Sequence, residues 1–321
     1  MSNSDYSVLN DEIINITPKQ KRGHGQSKWI IFAAMFLLFV ALLSGVGIYT
    51  EALWFDSLGF ASRFWYVFAL GWILFAVFGV LTFGILRGGF YLLEHIFGLD
   101  KLAPRKIVIN KQPFDVNPSH FLRPLGWILA FVFSISYAFG LSGDWQTWML
   151  YLHQPATTTA DPIFGNPIGF YLFSLPVYHS IASWLTSLAV ILLVATIICA
   201  VLAAVPQQPT IDEKQPGFDG FGTRAYSAVS IALGALLLFI AGRVFLARYT
   251  YLWSDHASFS GVTYTEDNYL IPGLTAVAIA LVVAALILFV NAFTKKGGRF
   301  IVIALGVPVV VFVVALFLIP A

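Results

Sequence analysis

The residues able to do chemistry in this sequence are few and stand apart. Seven acids (Glu51, Asp56, Asp144, Asp161, Asp255, Glu266 and Asp267) and three histidines (His153, His179 and His256) fall in or beside segments that flank one side of a series of apolar runs. Carboxylates and imidazoles ligate zinc and calcium and serve as general acids and bases. Either role needs several of them held at fixed spacing. Asp255 and His256 are adjacent rather than spaced along one helix face, and the others come from different loops, which is the pattern of solvated loop charges. No P-loop, G-x-G-x-x-G after a strand, H-E-x-x-H or G-x-S-x-G occurs. The sequence therefore assigns no catalytic residue, no metal ligand and no cofactor.

Two arginines carry the remaining chemical interest. Arg243 lies about one turn from the outer end of an apolar run, and Arg248 lies just beyond it. A guanidinium in that position reaches the headgroup layer or pairs with an acid such as Glu51, Asp56, Asp144 or Asp161. The candidate site is accordingly Arg243 and Arg248 with Asp144 and Asp161, either as a structural ion pair or as a seat for a lipid phosphate.

The elements that must position these groups are apolar. Of 321 residues, 59% are hydrophobic and 11% charged, and the mean hydropathy is +0.82. Too few charges are present to cover soluble cores, so the surplus apolar surface must face lipid. Seven runs each reach across a hydrocarbon core of roughly 30 Å: Trp29–Tyr49, Phe64–Leu86, Leu122–Leu141, Tyr178–Val205, Ala225–Ala247, Ile271–Phe293 and Phe300–Pro320. Pro124, Pro176 and Pro272 stand near span starts, whereas Pro308 lies inside the last span, where a kink is expected. Fifteen of the 18 Lys and Arg fall on one side, leaving Arg63, Arg243 and Arg248 on the other. That bias orients the chain with residues 1–28 as a disordered cytoplasmic tail, residues 29–321 as the membrane domain and the C-terminus outside. A net charge of +2 is too small to point to nucleic acid.

Trp54, Trp65, Trp145, Trp148 and Trp253 gather near the outer boundary. Asp144–His153 and Gly169–Leu175 read as helices lying in the outer headgroup layer, and Gly89–Leu99 as a similar helix inside, followed by a proline-punctuated loop from Pro104 to Pro118. The sole cysteine, Cys199, sits in an apolar run and reads as a buried small hydrophobe. Small-xxx-small pairs at Gly84/Gly88, Ser230/Gly234 and Ala280/Ala284 predict close helix packing. The chain stops at Ala321 directly after its last apolar run, which leads to the expectation that it is a fragment of something continuing outside.

Three stretches together resemble uncharacterised protein family 0182, a family of large bacterial integral membrane proteins. They are Ala52–Phe60 (ALWFDSLGF), Asp161–Tyr178 (DPIFGNPIGFYLFSLPVY) and Arg248–Pro272 with its Tyr264-Thr265-Glu266-Asp267-Asn268 run. The resemblance implies seven N-terminal spans followed by a large extracytoplasmic region, and it implies no activity and no catalytic residue. The third stretch departs from the family's Gly-Tyr-Thr-Asp type motif, having Val262-Thr263-Tyr264-Thr265-Glu266-Asp267 instead. Asp161-Pro162 and Gly165-Asn166-Pro167 set tight turns, after which Phe170, Tyr171 and Phe173 form a rigid aromatic platform; Asp56 is placed to cap a short helix after the first span.

The expected fold is an all-α polytopic transmembrane bundle of about seven spans with interfacial helices on the outer face, in a bacterial cell (inner) membrane. Its expected role is a membrane anchor or platform for a larger extracytoplasmic region; the alternative is a transporter or exporter of a lipid or other apolar small molecule. Membrane lipids and protein partners on the extracytoplasmic side are the expected contacts.

Overall fold

The computed structural model describes residues 24–98, 105–109, 112–116, 118–204, 222–256, 261–294 and 298–314. Most of the basic tail, the loop carrying Lys214, the pair Lys295 and Lys296, and the end of the last apolar run lie outside the described residues. Eight α-helices follow in order: α1 (His24–Ser57), α2 (Ala61–Ile96), α3 (Pro118–Gly143), α4 (Trp145–Leu152), α5 (Leu175–Ala204), α6 (Thr223–Ala247), α7 (Ile271–Thr294) and α8 (Gly298–Val313). Six helical runs are long and apolar enough to cross a membrane, while α8, apolar between Phe300 and Val313, is shorter.

The surface of these helices is itself evidence of their solvent. Val80, Val302 and Phe293 are 71%, 72% and 83% exposed, among dozens of other exposed Leu, Ile, Val and Phe side chains. In water such a surface would aggregate; in acyl chains it is solvated.

The chain divides into two compact units, residues 1–67 and 68–321. In the first, α1 closes on Gly59, whose φ of 77° only glycine adopts without strain. The Gly59 amide donates to the Asp56 carbonyl at 2.9 Å and that of Phe60 to Phe55 at 2.8 Å, a C-terminal helix stop. The ALWFDS stretch thus continues α1 to Ser57, and Asp56 caps no separate helix.

In the second unit, two packing modes build the bundle. Between α6 and α7 the residues are small: Ala284 and Ala285 are fully buried, and a Cβ on Gly234 would meet Phe289 at 3.1 Å and the Ala285 carbonyl at 3.3 Å. Asn291 donates to the Ser230 hydroxyl at 3.0 Å and Ser227 to the Ala292 carbonyl at 2.8 Å, so polar groups join backbones that small residues let approach. The predicted pairs Ser230/Gly234 and Ala280/Ala284 lie on this seam. Gly84 and Gly88 do not, for a Cβ on either meets nothing within 4 Å. Between α2, α3 and α5 the filling is aromatic instead, with Trp184 against Phe78 (ring centroids 5.4 Å apart) and its indole N–H donated to Thr82 at 3.0 Å. The helix α7 is the most enclosed, with 44% of its most apolar window buried.

Three local expectations are revised. The Gly89–Leu99 stretch is not a separate interfacial helix, because α2 runs on through it to Ile96 without a helix breaker other than glycine. The Pro104–Pro118 loop contains an antiparallel hairpin, Arg105–Ile109 (β1) with Gln112–Val116 (β2), so the fold is not strictly all-α. Ile107, Val108 and Ile109 favour extended backbone, and Pro113 is tolerated because a two-stranded ribbon leaves every strand an edge. The Gly169–Leu175 segment is a π turn, Phe170–Ser174, that leads straight into α5. Only α4 forms as a separate short helix of the expected interfacial kind, with Asp144 at its N-cap position making no side-chain cap bond.

Candidate functional site

The loop before α5 is built around one carboxylate. Asp161 is 8% exposed, and its Oδ1 accepts the Ile163 amide at 2.8 Å while Oδ2 accepts the Phe164 amide at 3.0 Å. This is the turn that an aspartate before proline makes with the backbone two and three residues on. The Tyr171 hydroxyl donates to the same Oδ2 at 2.6 Å. The loop closes as Gly165, at φ 70°, donates its amide to the Asp161 carbonyl at 3.0 Å and Asp161 donates its own to Asn166 at 2.9 Å. Burial alone would raise the Asp161 carboxyl above its ordinary 3.8, but the Tyr171 hydroxyl and the backbone amides of Ile163, Phe164 and Asn166 outweigh it and hold the group below that value.

Arg248 meets this loop through aromatic rings. Its guanidinium lies 3.7 Å from the Phe245 ring centroid, 4.7 Å from that of Tyr249 and 5.4 Å from that of Phe164. It donates to the Tyr249 hydroxyl at 2.7 Å and, longer, to Thr275 at 3.4 Å, while its buried Nε–H finds no acceptor. Tyr249, itself 8% exposed, packs on Phe164 at 4.8 Å and on Phe170 at 5.2 Å between centroids. The geometry thus brings Asp161 and Arg248 to one aromatic cluster, where Phe164 touches both, without a direct ion pair between them.

The other two candidates lie elsewhere. Asp144 and His179 line a groove of about 550 Å³ between α3 and α5, and the exposed Arg243 lies within electrostatic reach of His179. Among the described residues no three of His, Cys, Asp and Glu gather as metal ligands.

Sequence reasoning missed three features. Glu266 and Thr263 form a reciprocal capping box: Glu266 Oε2 accepts the Thr263 amide at 2.7 Å, and the Glu266 amide donates to the Thr263 hydroxyl at 3.2 Å. His256 Nε2 joins the same Oε2 at 3.1 Å. The signal was present as Thr263-x-x-Glu266 ahead of an apolar run. On α2, Glu94 (8% exposed) pairs with Arg87 at 3.6 Å and Arg123 at 3.9 Å, with Arg87 also 4.8 Å from the Trp127 ring centroid. Arg87 and Glu94 stand seven apart on one helix face, which the spacing shows once the helix is known to continue. The third is the row Ser180, Ser183 and Ser187 on α5, whose spacing along one apolar run is its only signal.

Fold and site together define a helical membrane protein whose loops before α5 and α7 are tied by internal hydrogen bonds. The chain belongs to the uncharacterised protein family UPF0182, whose model matches residues 28–321. It is similar to a UPF0182 protein of Nocardioides sp., 25% identical over 87% of this chain and 27% of that relative. A UPF0182 protein of Salinibacter ruber is 26% identical over 86% of this chain and 29% of its own length, and one of Saccharopolyspora erythraea is 29% identical over 81% and 27%. The chain thus spans well under a third of the curated relatives it matches. No solved structure matches it.

Proposed function

We propose that this chain is a seven-span bacterial cell-membrane module, N-terminus cytoplasmic, that anchors and positions a larger extracytoplasmic region. In this reading α8 completes a seventh crossing, and the fifteen-to-three distribution of Lys and Arg sets the orientation. One observation carries it: three charged side chains of the outer loops are engaged with neighbouring groups of the protein. Asp161 is held by Tyr171 and three amides of its own loop, Arg248 by Tyr249 and Thr275, and Glu266 by Thr263 and His256. Groups so engaged stiffen a surface rather than turn over a substrate. The length of the relatives supports the same reading, since the matched region occupies only 27–29% of the three described above. The test is complementation of a chromosomal deletion by a chimera that keeps the outer segments on unrelated spans of equal topology. Full complementation is expected; failure, with the chimera inserted and folded, gives the bundle itself a specific role.

A second reading, movement of a lipid, rests on a groove of about 290 Å³ between α2, α5 and α6, walled by Ile85, Leu92, Leu188, Ile231 and Phe239 and other apolar groups. Lipid that copurifies and is lost when Ala235→Phe fills the groove favours it, and a lipid-free bundle counts against it.

A further inference from the structure

The groove between α3 and α5 is unlike the rest of the bundle. Its walls carry Ser136 and Tyr137 from α3 and His179, Ser180, Ser183 and Ser187 from α5, with Asp144 at the outer end of α3. Ser187 lies roughly 18 Å along α5 from Leu175, at about 1.5 Å of rise per residue, so the polar lining reaches well inside the span. A hydroxyl on a spanning helix with no other partner turns back to a carbonyl of the preceding turn, as those of the buried Thr186 and Thr196 do at 2.6 Å and that of Ser187 does at 2.7 Å. Ser136, Ser180 and Ser183 make no such bond among the described residues, although they stand on membrane-spanning helices. The His179 Nε2 is buried and has no hydrogen-bond partner among the described residues. Polar groups left open along a spanning helix belong on a water-filled or ligand-filled cavity, because hydrocarbon satisfies none of them.

The chemistry of the lining selects the occupant. Among the described residues no Lys or Arg lines the groove itself; Arg243 stands within electrostatic reach of His179, but the Asp144 carboxylate in the lining opposes it, so a phosphate or carboxylate meets no net cation, and only His179 and Asp144 are possible metal ligands there, too few for a site. Serine, tyrosine and neutral imidazole each donate and accept, which matches hydroxyl groups. Tyr137 and Trp184 supply aromatic surface against which the C–H faces of such a molecule pack. We propose that this groove is an aqueous vestibule that binds a small neutral polyhydroxylated solute, sugar-like in chemistry. That it opens outward rests on the N-in orientation proposed above; that it is aqueous and binds does not.

The experiment uses the whole chain in sealed vesicles of both orientations, with Cys199→Ala removing the one native thiol. Ser183→Cys and Ser187→Cys are near-isosteric probes, and Val190→Cys, on the exposed apolar face of α5, is the lipid-facing control. A membrane-impermeant maleimide reacts only with a hydrated, ionising thiol, so both serine-derived cysteines should label at least about tenfold faster than the control. Glucose should slow that labelling several-fold, while choline and inorganic phosphate should not. Labelling no faster than the control overturns the vestibule. Labelling that glucose leaves unchanged, or that phosphate or choline blocks instead, overturns the solute assignment. The side from which reagent reaches the thiols reports orientation separately: labelling only from the cytoplasmic face refutes the proposed topology and leaves the vestibule standing. Intact folding of each variant is read from its tryptophan emission before labelling.

Discussion

Replacing Tyr171 by phenylalanine removes one oxygen and tests the Asp161 loop directly. The hydroxyl donates to Asp161 Oδ2 at 2.6 Å, and both residues are 8% exposed, so water cannot readily replace the lost donor. A hydrogen bond to a charged group contributes about 1.5–3 kcal/mol, and the weak 3.4 Å contact from Asn166 to the same hydroxyl adds little. The carboxylate keeps the amides of Ile163 and Phe164, so the loop should persist but loosen. Purified in detergent at neutral pH, Tyr171→Phe should unfold at a lower temperature by roughly 2–5 °C, measured at one scan rate by tryptophan fluorescence. The effect should depend on pH in a definite sense. Asp161 titrates below its ordinary 3.8 in the folded chain, so the stability it contributes is present above about pH 4 and is lost as pH falls through the folded value. The difference between wild type and Tyr171→Phe should therefore shrink in acid, where a neutral carboxyl makes the weaker bond. An unchanged midpoint at pH 7, or a deficit equal at all pH values, refutes the argument.

Other perturbations separate the two packing modes and the caps. Gly234→Val should cost about 1–3 kcal/mol, because its side chain is forced against Phe289 and the Ala285 carbonyl, whereas Gly84→Ala should leave the unfolding midpoint unchanged or raise it; equal effects would mean that the α6–α7 seam is not close-packed. Thr263→Ala removes one half of the capping box before α7 and should lower stability by about 1 kcal/mol in the same assay. Arg248→Lys keeps the charge but loses the planar group stacked on Phe245, and should lower the midpoint nearly as much as Arg248→Met; full rescue by lysine would show that charge alone matters.

The membrane-crossing elements were legible because length and absence of charge define them with few alternatives, and the candidate acids and arginines were legible as residue types. Their partners were not. Asp161 was expected to set a turn, which it does, but its bond to Tyr171 depends on a π turn that places the ring beside the loop. The extent of α2 was misread because Arg87 and Glu94 looked like the end of a span; each supplies the other's counter-charge on the same face, so the helix continues past them. The hairpin was hidden because Pro113 and Pro118 argue for loop, and only pairing makes the intervening residues a ribbon. The serine row needed no structure to be seen, only the rule that hydroxyls within a span must bond somewhere.

Proline placement ties these observations to the starts of α5 and α7. Pro176 and Pro272 are each the second residue of an α-helix, and each helix is entered through a π turn, Phe170–Ser174 or Glu266–Leu270. In both, the residue just before the proline closes the wide turn: the Leu175 amide donates to Phe170 and that of Ile271 to Glu266. The switch from wide to ordinary hydrogen bonding interrupts the ladder at the step where the proline, which has no N–H to donate, stands. The extra residue in the wide turn also rotates what precedes it relative to the span below. In one case it carries Tyr171 to Asp161 and Tyr249; in the other it carries Glu266 to Thr263 and His256. Both α5 and α7 therefore start with the polar residues before them turned onto neighbouring loops, by a device written into Leu175-Pro176 and Ile271-Pro272.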